Sequence, residues 1–394
     1  MPGPNDIIIN PINDVGNRIK ILGPILKEKW GPAKIAPFLA RERVIEAKYA
    51  ALGGSAVLGD PVDKSLGSMW TLRGAAIVYD SHTDAAYHVY GAIYERWIAL
   101  GGIDWGVPST DELGTPDGVG RYNHFNQSTA SIDWTPGTGA HAIYGDIRAR
   151  WSELGWERSY LGYPVSDEVD FSEGGRANEF QNGGIYWWPD TGPIDLRDVV
   201  VHYTGLYCFG ETDWDQGSSA DEPYVIFALT TPKQVWGATS RTYGGVDDSE
   251  SRPDLLELYR GRPYGLNVGM VVMESDFGDP NKYRDEVVSV VKGVHTAGTL
   301  ALGLIPVVGP VIAAVVGPAL GSLMPALGGA LSDAFDWGDD RIGSATITMS
   351  GRELVLLAAR TSNSTFGPIG FKRESWLISG EGASYKVYLG VVPA

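Results

Sequence analysis

The sequence predicts an α+β protein, mostly β. It reads as an N-terminal tandem module of short helix plus β-hairpin units, followed by a β-sandwich with an inserted apolar helical hairpin. Three observations predict this. A pattern of short helix, Gly-x-Pro turn and alternating strand recurs roughly every 50 residues, the mark of a repeat architecture. From Val199 the pattern stops, and apolar strands alternate with acidic loops. Between His295 and Asp333 lie 37 residues without one charge. The expected bounds are 1–44 for an N-terminal lead or degenerate capping unit, 45–196 for three repeats, and 199–394 for the sandwich, with the apolar insertion at 285–335.

Composition bounds the function. A chain of 394 residues is long enough for two or three domains. Lys and Arg number 31 against 48 Asp and Glu, a formal charge of −17. So acidic a chain lacks the basic surface that nucleic-acid phosphates require, and nucleic acid is excluded as a partner. Hydrophobic residues make up 43 %, enough for packed cores. The single cysteine, Cys208, leaves no intramolecular disulfide to make; at a strand end it reads as a small core residue. Met1 to Asp6 shows no basic stretch leading into an apolar core, so no secretory signal is read there.

The lead segment holds Ile7-Ile8-Ile9, an edge-strand candidate, and a partly helical stretch from Ile19 to Leu39 interrupted by Pro24, Pro32 and Pro37. The repeats follow. Ile45…Tyr49…Leu52-Gly53, Ile93…Trp97…Leu100-Gly101 and Ile147…Trp151…Leu154-Gly155 each place apolar residues at i, i+4 and i+7, one face of a short helix ended by glycine. Each is followed by a turn, at Leu58-Gly59-Asp60-Pro61, Trp105-Gly106-Val107-Pro108 and Leu161-Gly162-Tyr163-Pro164. Then comes an alternating strand, at Ala76–Tyr79, Ser131–Trp134 and Gly184–Trp187, preceded in the last two copies by Phe125 and Phe180. Thr135–Gly139 is a hairpin tip. Asp111, Glu112, Asp167 and Glu168 follow the turns of two copies, and such recurrence suits a structural task such as helix capping.

This pattern resembles the LGFP repeat of actinobacterial cell-envelope-associated proteins, and Leu161-Gly162-Tyr163-Pro164 matches it best. The resemblance implies a non-catalytic module that associates with the cell wall or its glycans, and a secreted or envelope location. Trp105, Trp134, Trp156, Trp187 and Trp188 are the candidate sugar-stacking residues, because flat indole faces suit pyranose rings. Core packing is the competing reading, strongest for the periodic Trp134 and Trp187.

In the second half, strands are expected at 199–208, 224–229, 268–273 and from Ile342. The acidic loops between them resemble those of C2-type calcium-dependent membrane-docking sandwiches, on Glu274-Ser275-Asp276 and Asp339-Asp340-Arg341-Ile342-Gly343. The resemblance implies Ca²⁺ at Asp213, Asp215, Asp221, Asp276, Asp279, Asp339 and Asp340, since hard cations gather carboxylate oxygens. Solvated acidic loops are the alternative. The apolar run at 296–332 has three readings: a hairpin covering a sheet face, a segment that inserts into a bilayer as in pore-forming effectors, or a membrane anchor. No nucleophile elbow, zinc-protease signature or phosphate loop occurs, so no enzyme is expected. A glycan hydrolase stays open, because its two acids need not be close in sequence.

Overall fold

The computed structural model describes residues 32–65, 67–211, 221–231, 233–275, 280–301 and 341–394. The repeat periodicity has a single physical origin, visible in all three copies. The aromatic on each helix donates a hydrogen bond to the carbonyl of the glycine in the following turn. Tyr49 Oη reaches Gly59 O at 2.7 Å, Trp97 Nε1 reaches Gly106 O at 2.8 Å, and Trp151 Nε1 reaches Gly162 O at 3.2 Å. Helix, turn and aromatic recur together because each turn carbonyl would otherwise lack a partner beside an apolar ring.

The chain divides into two compact units, Met1–Glu168 and Val169–Ala394. In the first, α1 (Pro32–Ala51) and the short α2 (Gly54–Leu58) precede a four-stranded antiparallel meander of β1 (Asp63–Ser65), β2 (Met69–Leu72), β3 (Ala75–Asp80) and β4 (Ala85–Tyr90). Next come α3 (Gly91–Leu100) and a second meander of β5 (Leu113–Gly114), β6 (Arg121–Phe125), β7 (Ala130–Thr135) and β8 (Gly139–Tyr144), then α4 (Gly145–Leu154). Helices α3 and α4 stop where expected, because Gly101 and Gly155 take left-handed backbone at φ 118° and 101°. Ile93, Trp97, Phe125 and Ile132 form one core; Ile45, Trp70 and Ile77 form another. A single meander cannot cover its own apolar face, so each leans on a helix.

Asp111 and Asp167 are not helix caps. Each binds the backbone of the preceding copy's last strand: Asp111 Oδ1 accepts from His88 N at 2.9 Å and Asp167 Oδ1 from Ala142 N at 2.8 Å. Each also pairs with the cation just before a helical aromatic, Lys48 and Arg96 respectively. The acid after the turn therefore fastens that turn to the helix and hairpin behind it.

In the second unit, β9 (Val169–Phe171), β10 (Gly175–Phe180), β11 (Gly183–Trp188) and β12 (Gly192–Leu196) form the third meander. The expected boundary at 196–199 lies inside this unit. Phe171, Tyr186, Trp188 and Leu196 share one core with the sandwich strands, so the third meander folds as part of the C-terminal body. One sandwich sheet runs from β16 (Ser251–Gly261) through β13 (Val199–Gly210) and β23 (Ala383–Pro393) to β21 (Arg373–Glu374), with β22 (Ile378–Gly380) also on β23. The other has the order β15 (Val235–Thr239), β14 (Pro223–Thr230), β17 (Leu266–Glu274) and β18 (Arg341–Met349). Val201, Tyr203, Val387 and Leu389 meet Val225, Phe227, Val268 and Met270 between the two.

Strand β14 is buried along its whole length because both its faces are covered. Its outer residues Tyr224, Ile226 and Ala228 pack with Val287 and Val291 of α5 (Pro280–Ala301). The helix comes so close to β15 that a Cβ on Gly237 would lie 2.4 Å from Val288 Cγ2. The first part of the expected insertion is thus a charged, amphipathic helix seated on a sheet; the 37-residue apolar run falls almost wholly outside the described residues. A further helix, α6 (Gly351–Ala359), is capped by Ser350, and the hairpin β19 (Ser364–Phe366) and β20 (Ile369–Phe371) follows it.

Candidate functional site

The five tryptophans singled out from the sequence have different surroundings. Trp188 is fully buried and donates from Nε1 to Ser172 O at 2.8 Å; it is core and offers no face to a ligand. Trp105 sets its edge on Phe125, ring centres 5.2 Å apart, and packs with Trp134 against the core of the first unit. Trp187 is partly buried on β11. Trp156 lines a cavity.

Trp156 opens the 3-10 turn Trp156–Arg158 with φ 58°, left-handed backbone that costs a bulky residue roughly 1–2 kcal/mol. The other copies fill the equivalent position, one residue past the helix-ending glycine, with Gly54 (φ 56°) and Gly102 (φ 60°). A glycine position has been given to the largest side chain. Two neighbours hold its ring. Trp151 meets it edge-on at 5.2 Å, and the Arg148 guanidinium lies over it at 4.8 Å.

Beside that ring is a cavity of about 130 Å³. A space of about 150 Å³ admits a benzene-sized ring, so this one suits a single small ring or a few waters. Trp151 and Trp156 supply apolar walls; Thr115 and Pro116 close one side. The remaining lining is polar, and the register of β6 against β7 places it: His124 pairs with Ser131, and Tyr122 with Asp133. Glu157, the residue after Trp156, completes the wall.

The polar groups form one network. Ser131 Oγ donates to Asp133 Oδ2 at 2.7 Å, and Arg148 Nε donates to Ser131 Oγ at 3.2 Å. Arg148 also donates to Ser128 O at 2.7 Å and to His124 Nδ1 at 3.1 Å. A guanidinium only donates, so His124 Nδ1 is bare and its ring proton sits on Nε2. Burial and the Arg148 charge push the His124 pKa down to about 4, leaving a neutral imidazole. Asp133 is enclosed; burial, against the pull of Ser131 and Arg148, pushes its pKa up to about 7. The Glu157 side chain is 4 % exposed, and its Oε1 has no hydrogen-bond partner and lies 3.9 Å from Arg158 Nε.

This set is built in one copy. At the same register positions the first copy has Met69, Thr71, Ala76 and Val78, and the third has Ala177, Glu179, Gly184 and Tyr186. In the third copy a Cβ at position 184 would lie 2.6 Å from Tyr186 Oη, so the tyrosine occupies the equivalent space.

Residues 106–159 and 161–202 match the family model of the LGFP repeat. These two stretches are LGFP repeats. The matched frame runs from the Gly-x-Pro turn through the meander to the end of the helix, so every cavity residue from Thr115 to Glu157 falls within one LGFP copy. The second LGFP match extends over the meander that folds with the sandwich. No curated protein matches this chain.

Of the seven acidic residues expected to hold Ca²⁺, Asp213, Asp215, Asp276, Asp279, Asp339 and Asp340 lie outside the described residues. Asp221 is 2 % exposed, and its carboxylate accepts from Tyr385 Oη at 2.6 Å within the sandwich. Among the described residues no group of three His, Cys, Asp or Glu is placed to hold a metal ion. Nor is any described helix long and apolar enough to cross a membrane.

Sequence reasoning passed over Asp133, His124, Ser131, Arg148 and Glu157. Scattered along 34 residues, they belong to no motif. The one local signal was Gly53-Gly54 and Gly101-Gly102 giving way to Gly155-Trp156.

Proposed function

We propose that this is a non-enzymatic, cell-envelope glycan-binding protein, and that the cavity of its middle LGFP copy seats one sugar ring. LGFP repeats occur in cell-envelope-associated proteins. The observation that carries the finer reading is Trp156. A residue that bears left-handed strain, where sister copies use glycine, is held there for what its ring touches. Around it stand the groups that sugar recognition uses: an indole to cover the apolar ring face, acceptors on Asp133 and Glu157, and a fixed donor on His124 Nε2.

Titration calorimetry of the whole protein with cell-wall polysaccharide and its constituent sugars tests this. Binding is expected in the wild type and lost in Trp156→Gly. Retention of full affinity in that variant removes the cavity from the account.

A second reading, glycan hydrolysis, is favoured by one specific observation. Asp133 and Glu157 line the same cavity, and Asp133 holds its proton toward neutral pH, as a general acid must. Turnover that disappears in both Asp133→Asn and Glu157→Gln would establish it, while binding without bond cleavage would exclude it.

A further inference from the structure

The charges around the cavity are unevenly distributed. Its lining includes two carboxylates, Asp133 and Glu157, and no Lys or Arg among the described residues. The histidine in the wall is held toward its neutral form by burial and by Arg148, which donates to its Nδ1. Both nearby guanidinium groups lie outside the lining and already hold partners. Arg148 directs its donors to Ser131 Oγ, Ser128 O and His124 Nδ1 while stacking on Trp156. Arg158 donates to Pro116 O and lies 3.9 Å from Glu157. A carboxylate or phosphate entering this space would meet two acids and no lining cation among the described residues. Charged groups are costly to bury unless paired, and the lining offers such a ligand no cation to pair with. Hydroxyl and ammonium groups, by contrast, bring the donors that the Asp133 and Glu157 carboxyl groups in the lining accept.

Resting on the glycan reading, we infer that this pocket selects by charge: it takes a sugar ring that is neutral or carries an amine, and rejects one that carries a carboxylate or phosphate. Selection of this kind works by making the wrong partner leave a buried charge unpaired.

Titration calorimetry of the full chain with glucose, glucosamine, glucuronate and glucose 6-phosphate tests it. Glucuronate and glucose 6-phosphate are expected to bind at least tenfold more weakly than glucose, and glucosamine at least as tightly as glucose. Glu157→Gln keeps the shape of the side chain while removing its charge; Asp133→Asn does the same above about pH 7, where the enclosed Asp133 carboxyl ionises, so the titrations are run on that side of neutrality. At least one is expected to narrow the glucuronate-to-glucose ratio by threefold or more. Melting curves establish that both variants fold. Glucuronate binding within threefold of glucose overturns charge selection and leaves the glycan reading standing. A wide ratio that neither variant narrows also overturns it. If none of the four sugars binds, both readings fall together.

Discussion

Asp133 allows a quantitative test of how the cavity is built. Its carboxyl is enclosed and its pKa is pushed up to about 7 from an ordinary 3.8. The folded state therefore holds a proton that the unfolded chain releases above pH 3.8. A group with a raised folded pKa contributes stability at low pH, and that contribution is lost as pH rises to the folded value. The window lies between about pH 4 and pH 7. From about pH 5 to about pH 8.5, roughly two pH units of that window are crossed at about 1.36 kcal/mol each, so the wild type loses about 2.7 kcal/mol from this residue. The carboxamide of the D133N variant cannot ionise, yet it can still accept from Ser131. The stability of D133N relative to wild type is thus expected to rise by about 2–3 kcal/mol over that range, a gap of roughly 1 M in the urea midpoint. Urea denaturation followed by tryptophan fluorescence at both pH values measures it. His124 pulls the other way, since its lowered pKa removes stability as pH falls from 6.5 toward 4. That slope is common to both proteins and cancels in the difference. Parallel pH profiles, agreeing within about 0.5 kcal/mol, would refute the enclosed, proton-holding carboxyl.

Trp156→Gly relieves backbone strain while losing a half-buried ring, so a net cost below about 2 kcal/mol is expected in melting experiments. Trp151→Ala, at a fully buried ring bonded to Gly162 O, should cost about 3–5 kcal/mol in the same assay. Asp111→Ala and Asp167→Ala each leave a strand N–H without its acceptor and break an ion pair; a loss of about 1–3 kcal/mol apiece is expected by denaturant titration. Because the polar set is built in one copy, calorimetry should return a stoichiometry of one sugar per chain; a value of two or three would show that the sister copies bind as well.

The repeat framework was legible because each copy must repeat the same local bond, from helical aromatic to turn glycine, and that bond constrains the sequence at fixed offsets. Four of the sandwich strands were legible for a simpler reason, whereas β16 and β23, the two neighbours of β13, were not read. Val199–Gly210, Pro223–Thr230 and Leu266–Glu274 are runs of apolar residues bounded by turns. The seam between the two units was not legible. The third meander looks like its sisters locally, and only the three-dimensional core shows Phe171 and Trp188 packed with sandwich strands. The Trp residues were a partial guide for a related reason. Composition marks an indole as a possible stacking surface, but burial decides, and Trp188 is enclosed while Trp156 is not. The polar set of the cavity depends on strand register, which brings Tyr122 opposite Asp133 and His124 opposite Ser131. No spacing rule along the chain anticipates that pairing.

The sharing of one core by the third meander and the sandwich limits how this protein can be shortened or extended. A fragment ending near residue 196 would leave Phe171, Tyr186, Trp188 and Leu196 without the partners that enclose them. Such a piece should aggregate, whereas one cut after Glu168 should stay in solution. For the same reason, extra copies can be gained by duplication only upstream of Val169. The C-terminal body ends the array, and the number of repeats can grow in one direction alone.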